Sequence, residues 1–150
     1  MIKYVDKSIV FEEIPDRVTL AFSISNCQNR CKGCHSSFLR CDIGNILNED
    51  ILVEKFHNDL KYCNCVLFLG EGNDLDSLIK LSKFIKNKYH IETAIYSGRN
   101  EVEKILFDIF DYVKVGSYQE DKGGLNKETT NQRLYYHGQD ITYKFWRKKI

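Results

Sequence analysis

Three thiols stand within eight residues in the segment Cys27-Gln-Asn-Arg-Cys31-Lys-Gly-Cys34, and Cys41, Cys63 and Cys65 follow downstream. Thiolates are soft ligands suited to zinc and to iron-sulfur clusters, and one compact loop can aim all three at a single cuboidal cluster. Three is the informative count. A four-iron cluster held by three protein thiolates has one iron with an open position, where a small molecule can bind. Gly33 keeps the backbone slim between two ligands, and Arg30 and Lys32 offset the negative charge of a cluster. A zinc site is the alternative, with His35, Cys41 or the Cys63/Cys65 pair as fourth ligand. Structural zinc usually shows two pairs of ligands, however, whereas this chain has one tight triplet and scattered cysteines. Cys63 and Cys65 read more simply as small core hydrophobes at the entry to a strand.

The elements that must position this cluster follow from hydrophobic periodicity. Val18 to Ser25 alternates apolar and polar residues, is rich in β formers, and runs straight into the cysteines. Cys65 to Leu69 is a continuous apolar run stopped by Gly70, the pattern of a strand buried on both faces. Thr93 to Tyr96 and Tyr112 to Val115 are two further strands, closed by Ser97-Gly98 and by Gly116. Between them lie amphipathic helices: Ile51, Leu52, Phe56 and Leu60 behind the N-cap Asn48; Leu75, Leu78, Ile79 and Ile85 behind Asp74 or Asp76; and Val102, Ile105, Leu106 and Ile109 behind Asn100. Strands alternating with helices imply β-α-β units and a mainly parallel sheet, with ligands at the carboxyl ends of the strands. The cysteines, Gly70-Glu71-Gly72, Ser97-Gly98 and Gly116-Ser117 all fall at such ends. Gln119 to Gln132 reads as a long loop, and Ile141 to Trp146 as a last short strand or turn.

A chain of 150 residues with 43% hydrophobic and 29% charged side chains is expected to form a single domain, 1–150. It is too short for a closed eight-fold barrel of about 250 residues, so any barrel-related architecture has to be partial. A formal charge of +1 provides no long-range field for nucleic acid or anionic lipid. The basic-aromatic stretch Lys144 to Lys149 reads as a solvated end whose aromatics pack on the sheet. No uninterrupted apolar stretch marks a secretion signal or a membrane span of about 20 residues, so the expected setting is cytoplasmic. A reducing compartment favours metal or redox chemistry over disulfides.

The triplet Cys-x3-Cys-x2-Cys after the first strand of an α/β chain resembles the radical S-adenosylmethionine superfamily. Within it, Cys27-Gln-Asn-Arg-Cys31-Lys-Gly-Cys34-His35 is similar to the activating proteins of anaerobic ribonucleoside-triphosphate reductase. The resemblance continues through Tyr96-Ser97-Gly98-Arg99, Lys114-Val115-Gly116, Gly123-Gly124-Leu125 and Thr129-Thr130-Asn131-Gln132-Arg133-Leu134-Tyr135. It implies a partial, open (β/α) barrel and one 4Fe-4S cluster on Cys27, Cys31 and Cys34, whose open iron binds S-adenosylmethionine. A reduced cluster then yields a 5'-deoxyadenosyl radical, which takes a hydrogen from a backbone glycine of the large reductase subunit. The implied partners are that glycyl radical subunit and a one-electron donor such as flavodoxin or ferredoxin. The implied cofactor contacts are Gly33, His35, Gly70, Glu71, Gly72 and Ser97, with Lys114 a further contact for the carboxylate or ribose; no side-chain acid or base is required.

The chain departs from the superfamily at its second turn. Members usually carry Gly-Gly-Glu or Gly-Gly-Asp after strand two, where this chain has Gly70-Glu71-Gly72. A plain strand-to-helix turn, with Asp74 as cap, is the alternative there. Leu75 stands where a dinucleotide-binding turn would have its third glycine. Two other functions fit the triplet: activation of a different glycyl radical enzyme or small-molecule radical chemistry, and a non-catalytic zinc-binding module.

Overall fold

The computed structural model describes residues 1–26 and 41–146. The cysteine triplet, Gly33 and His35 lie outside these residues. The described chain forms eight strands and three α-helices: β1 (Ile2–Val10), β2 (Thr19–Ile24), β3 (Asn45–Leu47), α1 (Glu49–Tyr62), β4 (Cys65–Leu69), α2 (Leu75–Tyr89), β5 (Glu92–Tyr96), α3 (Lys104–Ile109), β6 (Tyr112–Val115), β7 (Arg133–Tyr136) and β8 (Gln139–Asp140), followed by a 3₁₀ helix, Thr142–Trp146. The strands join one sheet in the order β3-β1-β2-β4-β5-β6-β7-β8.

Strands β2, β4, β5 and β6 pair in parallel, in the positions that the apolar runs mark in the sequence. The other four pairings, β1 with β2, β1 with β3, β6 with β7 and β7 with β8, are antiparallel. The expected partial (β/α) barrel with a mainly parallel sheet is therefore incorrect. The fold is a mixed eight-stranded sheet, parallel at its centre and extended by antiparallel strands at both edges. The physical reason lies in the two chain ends. β1 is buried at Ile2 and Tyr4 but largely exposed from Asp6 to Ile9, so its sequence lacks the apolar run of a doubly buried strand. β7 and β8 form a short hairpin through the positive-φ residues His137 and Gly138, downstream of the residues 119–132 read as a loop.

The three helices pack on one face. Leu52, Phe56 and Leu60 of α1, Leu78, Leu81 and Ile85 of α2 and Leu106 of α3 share a core with Phe22, Phe68, Ile95 and Val113 of the strands. Asn48 caps α1 by accepting from the Ile51 N–H at 2.9 Å, and Asp74 caps α2 by accepting from the Ser77 N–H at 3.2 Å. Helix α3 begins at Lys104 rather than behind Asn100 and spans 6 residues, with no side-chain cap. The opposite face has no α-helix among the described residues. Ala21, Cys65, Leu67, Ala94 and Tyr112 are covered there by Ile14 of the β1–β2 connection, Leu125 and Phe145.

Among the described residues, no helix is long and apolar enough to cross a membrane. The helix-side core is centred on Phe22, which is fully buried and meets Tyr4 and Phe56 edge-on at 5.7 and 5.0 Å. Phe22→Ala is expected to lower the unfolding free energy by about 3–5 kcal/mol, read from urea denaturation. A loss below about 1 kcal/mol would show that the sheet and helices do not depend on this ring cluster.

Candidate functional site

The carboxyl ends of β2, β4, β5 and β6 meet along one edge of the sheet, and backbone hydrogen bonds tie them together beyond the strands. The Gly70 N–H donates to the Tyr96 carbonyl at 3.0 Å, the Ser97 N–H to the Lys114 carbonyl at 2.8 Å, and the Gly116 N–H to the Arg99 carbonyl at 2.6 Å. The segment that carries the cysteine triplet leaves from this edge and returns beside it, since the Asn26 N–H donates to the Cys41 carbonyl at 3.1 Å. The triplet's own geometry lies outside the described residues. What is described is the ground from which it departs.

Gly70 and Gly72 both have positive φ, 109° and 64°. A Cβ at Gly72 would stand 3.0 Å from Ile24 Cγ2 and 3.3 Å from the Ser25 carbonyl, so glycine lets the turn after β4 lie directly against the end of β2. That turn aims Glu71 along the edge. Ser97 Oγ donates to Glu71 Oε2 at 2.8 Å, and Arg99 Nε donates to the same oxygen at 3.0 Å. Arg99 Nη2 also reaches Glu71 Oε1, completing a two-point clamp, and both terminal nitrogens of Arg99 hold Glu103 at 2.7 and 3.0 Å. The Arg99 guanidinium is pushed to a still higher pKa by its hydrogen bonds with Glu103 and Glu71.

Of the residues assigned to cofactor contact, the structure thus brings Gly70, Glu71, Gly72 and Ser97 together, while Gly33 and His35 lie outside the described residues. Glu71 and Ser97 engage each other and Arg99. Arg99 stands in the sequence motif Tyr96-Ser97-Gly98-Arg99 but had no role assigned from sequence, and Glu103, one helical turn further on, was missed altogether. Lys114, expected as a cofactor contact, is buried and donates to the carbonyls of Ser97 at 3.0 Å and Gly116 at 2.9 Å.

The segment after Gly123 reinforces the same edge. Asn131 Nδ2 donates to the Ser117 carbonyl at 3.0 Å, Gln132 Nε2 to the Gly116 carbonyl at 3.4 Å, and Thr130 Oγ1 to the Gly123 carbonyl at 3.1 Å. A Cβ at Gly116 would meet the Asn131 carbonyl and Gln132 Cα at 3.0 Å, which is why glycine ends β6. The motifs 96–99, 114–116, 123–125 and 129–132, far apart in sequence, form one hydrogen-bonded layer.

Of the described cysteines, Cys63 and Cys65 stand apart from it. Cys65 pairs with Thr19 at the amino end of β2, and five residues of strand, about 16 Å, separate it from the carboxyl end at Ile24. Cys63 packs in the helix-side core and Cys65 in the core of the opposite face. Burial pushes both thiols up, Cys65 far up. Cys41 is exposed. At the amino ends of the strands, Glu92, Asp111 and His137 bring ligand atoms within 4.8 Å of one another. Their oxygens are already engaged: Arg17 at 2.6 Å and the Tyr136 hydroxyl at 2.6 Å on Glu92, Lys86 at 2.7 Å and His137 at 3.2 Å on Asp111. This is an ion-pair network that anchors Arg17 and α2 to the sheet.

The chain matches no protein-family model, no curated protein and no solved structure.

The Arg99 clamp has a pH signature. Glu103 is held at a pKa of about 2, down from an ordinary 4.5, chiefly by its hydrogen bond from Arg99. The folded state therefore binds this proton less readily than the unfolded chain, and the stabilisation is complete above about 4.5 and lost as the pH falls through about 2. Glu103→Gln is expected to be less stable than the wild type by about 0.5 kcal/mol at pH 7, the scale of a partly exposed pair. In urea melts the two proteins should converge near pH 2; a gap independent of pH would show that the pair does not titrate with folding.

Proposed function

We propose that this protein is a radical S-adenosylmethionine activase, which places a glycyl radical on the large subunit of an anaerobic ribonucleoside-triphosphate reductase. The observation that carries the reading is the place of the triplet in the sequence. Cys27, Cys31 and Cys34 lie between Asn26 and Cys41, which meet at the carboxyl end of β2, and the Gly70–Glu71–Gly72 turn packs on Ile24 and Ser25 at that same end. Ligands of sheets with a parallel centre gather at this edge. Further support comes from the convergence of the residues that carry the family resemblance, Ser97, Arg99, Lys114, Gly116 and Thr130 to Gln132, on the same edge.

A 4Fe-4S cluster held by the three thiolates would supply one electron to the sulfonium of S-adenosylmethionine, yielding the 5'-deoxyadenosyl radical that abstracts the glycine hydrogen. The residues around it position and bind. The positive-φ glycines Gly70 and Gly72 let the turn after β4 lie against Ile24 and Ser25 at the end of β2, two residues before Cys27 in the sequence. Ser97 and Glu71 offer polar groups whose orientation Arg99 fixes. Lys114 and Gln132 hold the carboxyl ends of β5 and β6 in register behind them. The implied partners are the glycyl radical subunit and a one-electron donor of the flavodoxin or ferredoxin kind.

Anaerobic reconstitution tests the reading. The expected result is bound iron close to four per chain and, after reduction, an electron paramagnetic resonance signal that changes on adding S-adenosylmethionine. Cys31→Ala is expected to lose the cluster and all partner activation, whereas Cys63→Ala and Cys65→Ala keep the iron. Zinc without iron in the purified protein would replace this reading with a metal-binding module. A cluster that responds to S-adenosylmethionine but leaves the reductase subunit without a radical would point to a different substrate.

A further inference from the structure

Residues 100–103 carry two sets of interactions that exclude each other. In the sequence, Asn100-Glu101-Val102-Glu103 has the spacing of a capping box, in which the first side chain accepts from the N–H three residues on and the glutamate there reaches back to the N–H of the first. The apolar stripe Val102, Ile105, Leu106 and Ile109 starts inside this segment, and Glu101 and Glu103 fall in what would be the first turn, where the helix dipole favours acidic residues. In the structure neither capping residue serves a helix. α3 begins only at Lys104, Glu103 precedes it with ψ at 138° and no side-chain cap bond, and Ile105 of the apolar stripe is 47% exposed.

Both capping side chains are engaged at the sheet edge instead. Asn100 Oδ1 accepts from the Ser117 N–H at 3.3 Å, which straps the connection after β5 to the connection after β6. Glu103 accepts from Arg99 Nη1 at 3.0 Å and from Nη2 at 2.7 Å. The side chains of this pair are 37% and 48% exposed, and the Asn100 bond is long. A partly exposed ion pair and a helix N-cap contribute on the same scale, so neither arrangement outweighs the other by much. A local preference set against the tertiary contacts of the same residues marks a segment with two accessible states.

We propose that residues 100–103 are a conformational switch at this edge. In one state, the one described above, Asn100 and Glu103 hold Ser117 and Arg99; in the other they form the capping box, and α3 gains a turn at its N-terminus. The central change is rotation of the Glu103 ψ from 138° to the helical value of about −42°. The long-helix state releases the Ser117 N–H and Arg99 Nη1, whereas Glu71 keeps its bonds from Ser97 and Arg99 Nε, which lie before the segment. The switch thereby decides whether two donors at the edge are held or free. It does not rest on the cluster, and its test needs no iron, so its failure leaves the proposed function as it stands.

The test is NMR of the full chain, read at the carbon-13 Cα shifts of Glu101, Val102 and Glu103, which move downfield in a helix. Glu103→Gln removes the ion pair but leaves a glutamine, which also completes a capping box. Arg99→Gln opens the same pair from the other side and leaves both capping residues. Each is expected to move the three shifts downfield from their wild-type values and to displace the Ser117 amide, which loses Asn100. Adding Asn100→Ala to Glu103→Gln removes the cap, and the three shifts are expected to return towards wild type. Downfield movement in either single variant that is lost in the double variant supports the switch. Fully helical shifts over 101–103 in the wild type, no downfield movement in either single variant, or movement that persists in the double variant would overturn it. All three side chains are exposed or half-buried. Unchanged amides of Val66 and Ile95 in the core strands show that each variant is folded, and the wild-type shifts need no variant.

Discussion

The central strands must be apolar on both faces, and the remainder of the molecule is arranged around that requirement. Along β4, Val66 and Phe68 enter the helix-side core while Cys65 and Leu67 enter the other. The same alternation holds in β2, where Phe22 faces the helices and Ala21 the opposite side. A strand with two apolar faces needs two covers. The amphipathic helices provide one. The second is assembled from pieces with little regular structure: Ile14, Leu125 and Phe145. That unequal covering leaves room on the helix-free side and a cavity between its parts.

The parallel centre also determines where chemistry gathers. Parallel strands direct their carboxyl ends to one edge, and each connection departs from there. The three described connections after β4, β5 and β6, with polar and glycine-containing sequences, consequently share a short stretch of surface, and their side chains pair with one another or with the neighbouring backbone. Glu71 from the turn after β4 is held by Ser97 and Arg99 from the turn after β5, and Lys114 of β6 holds the carbonyl of Ser97. Such cross-bracing makes the edge rigid. A rigid edge suits a site whose difficult step belongs to a cofactor and whose protein part is orientation.

The antiparallel additions show where periodicity has no purchase. β3 has 3 residues and β8 has 2, too few for an alternating pattern to stand out from a polar loop. β1 is longer, but exposed side chains occupy its outer half because it lies near the sheet edge, with only the short β3 beyond it. Edge strands of this kind are paired through the backbone, and backbone hydrogen bonds are indifferent to side-chain type. α3 errs in the other direction. Val102, Ile105, Leu106 and Ile109 have helical spacing, yet the first turn gives way to the Arg99–Glu103 contact, and Glu103 becomes the residue before the helix.

Local sequence alone determined the four central strands, the cap Asn48, and the glycine turns after β4, β5 and β6; it left the cap of α2 between Asp74 and Asp76, and the structure selects Asp74. Each of these depends on interactions within a few residues or on a burial pattern written along one strand. It also placed three thiols where a buried strand ends. Only the tertiary structure decided that both sheet edges are antiparallel, that Arg99 joins Glu71 to Glu103, that Lys114 is buried, and that the Tyr96 hydroxyl reaches the Glu13 carbonyl. Apart from Arg99 with Glu103, which are one helical turn apart, these are contacts between residues far apart in the chain. No spacing within one segment encodes such contacts, because they arise only when the packed core brings its connections together.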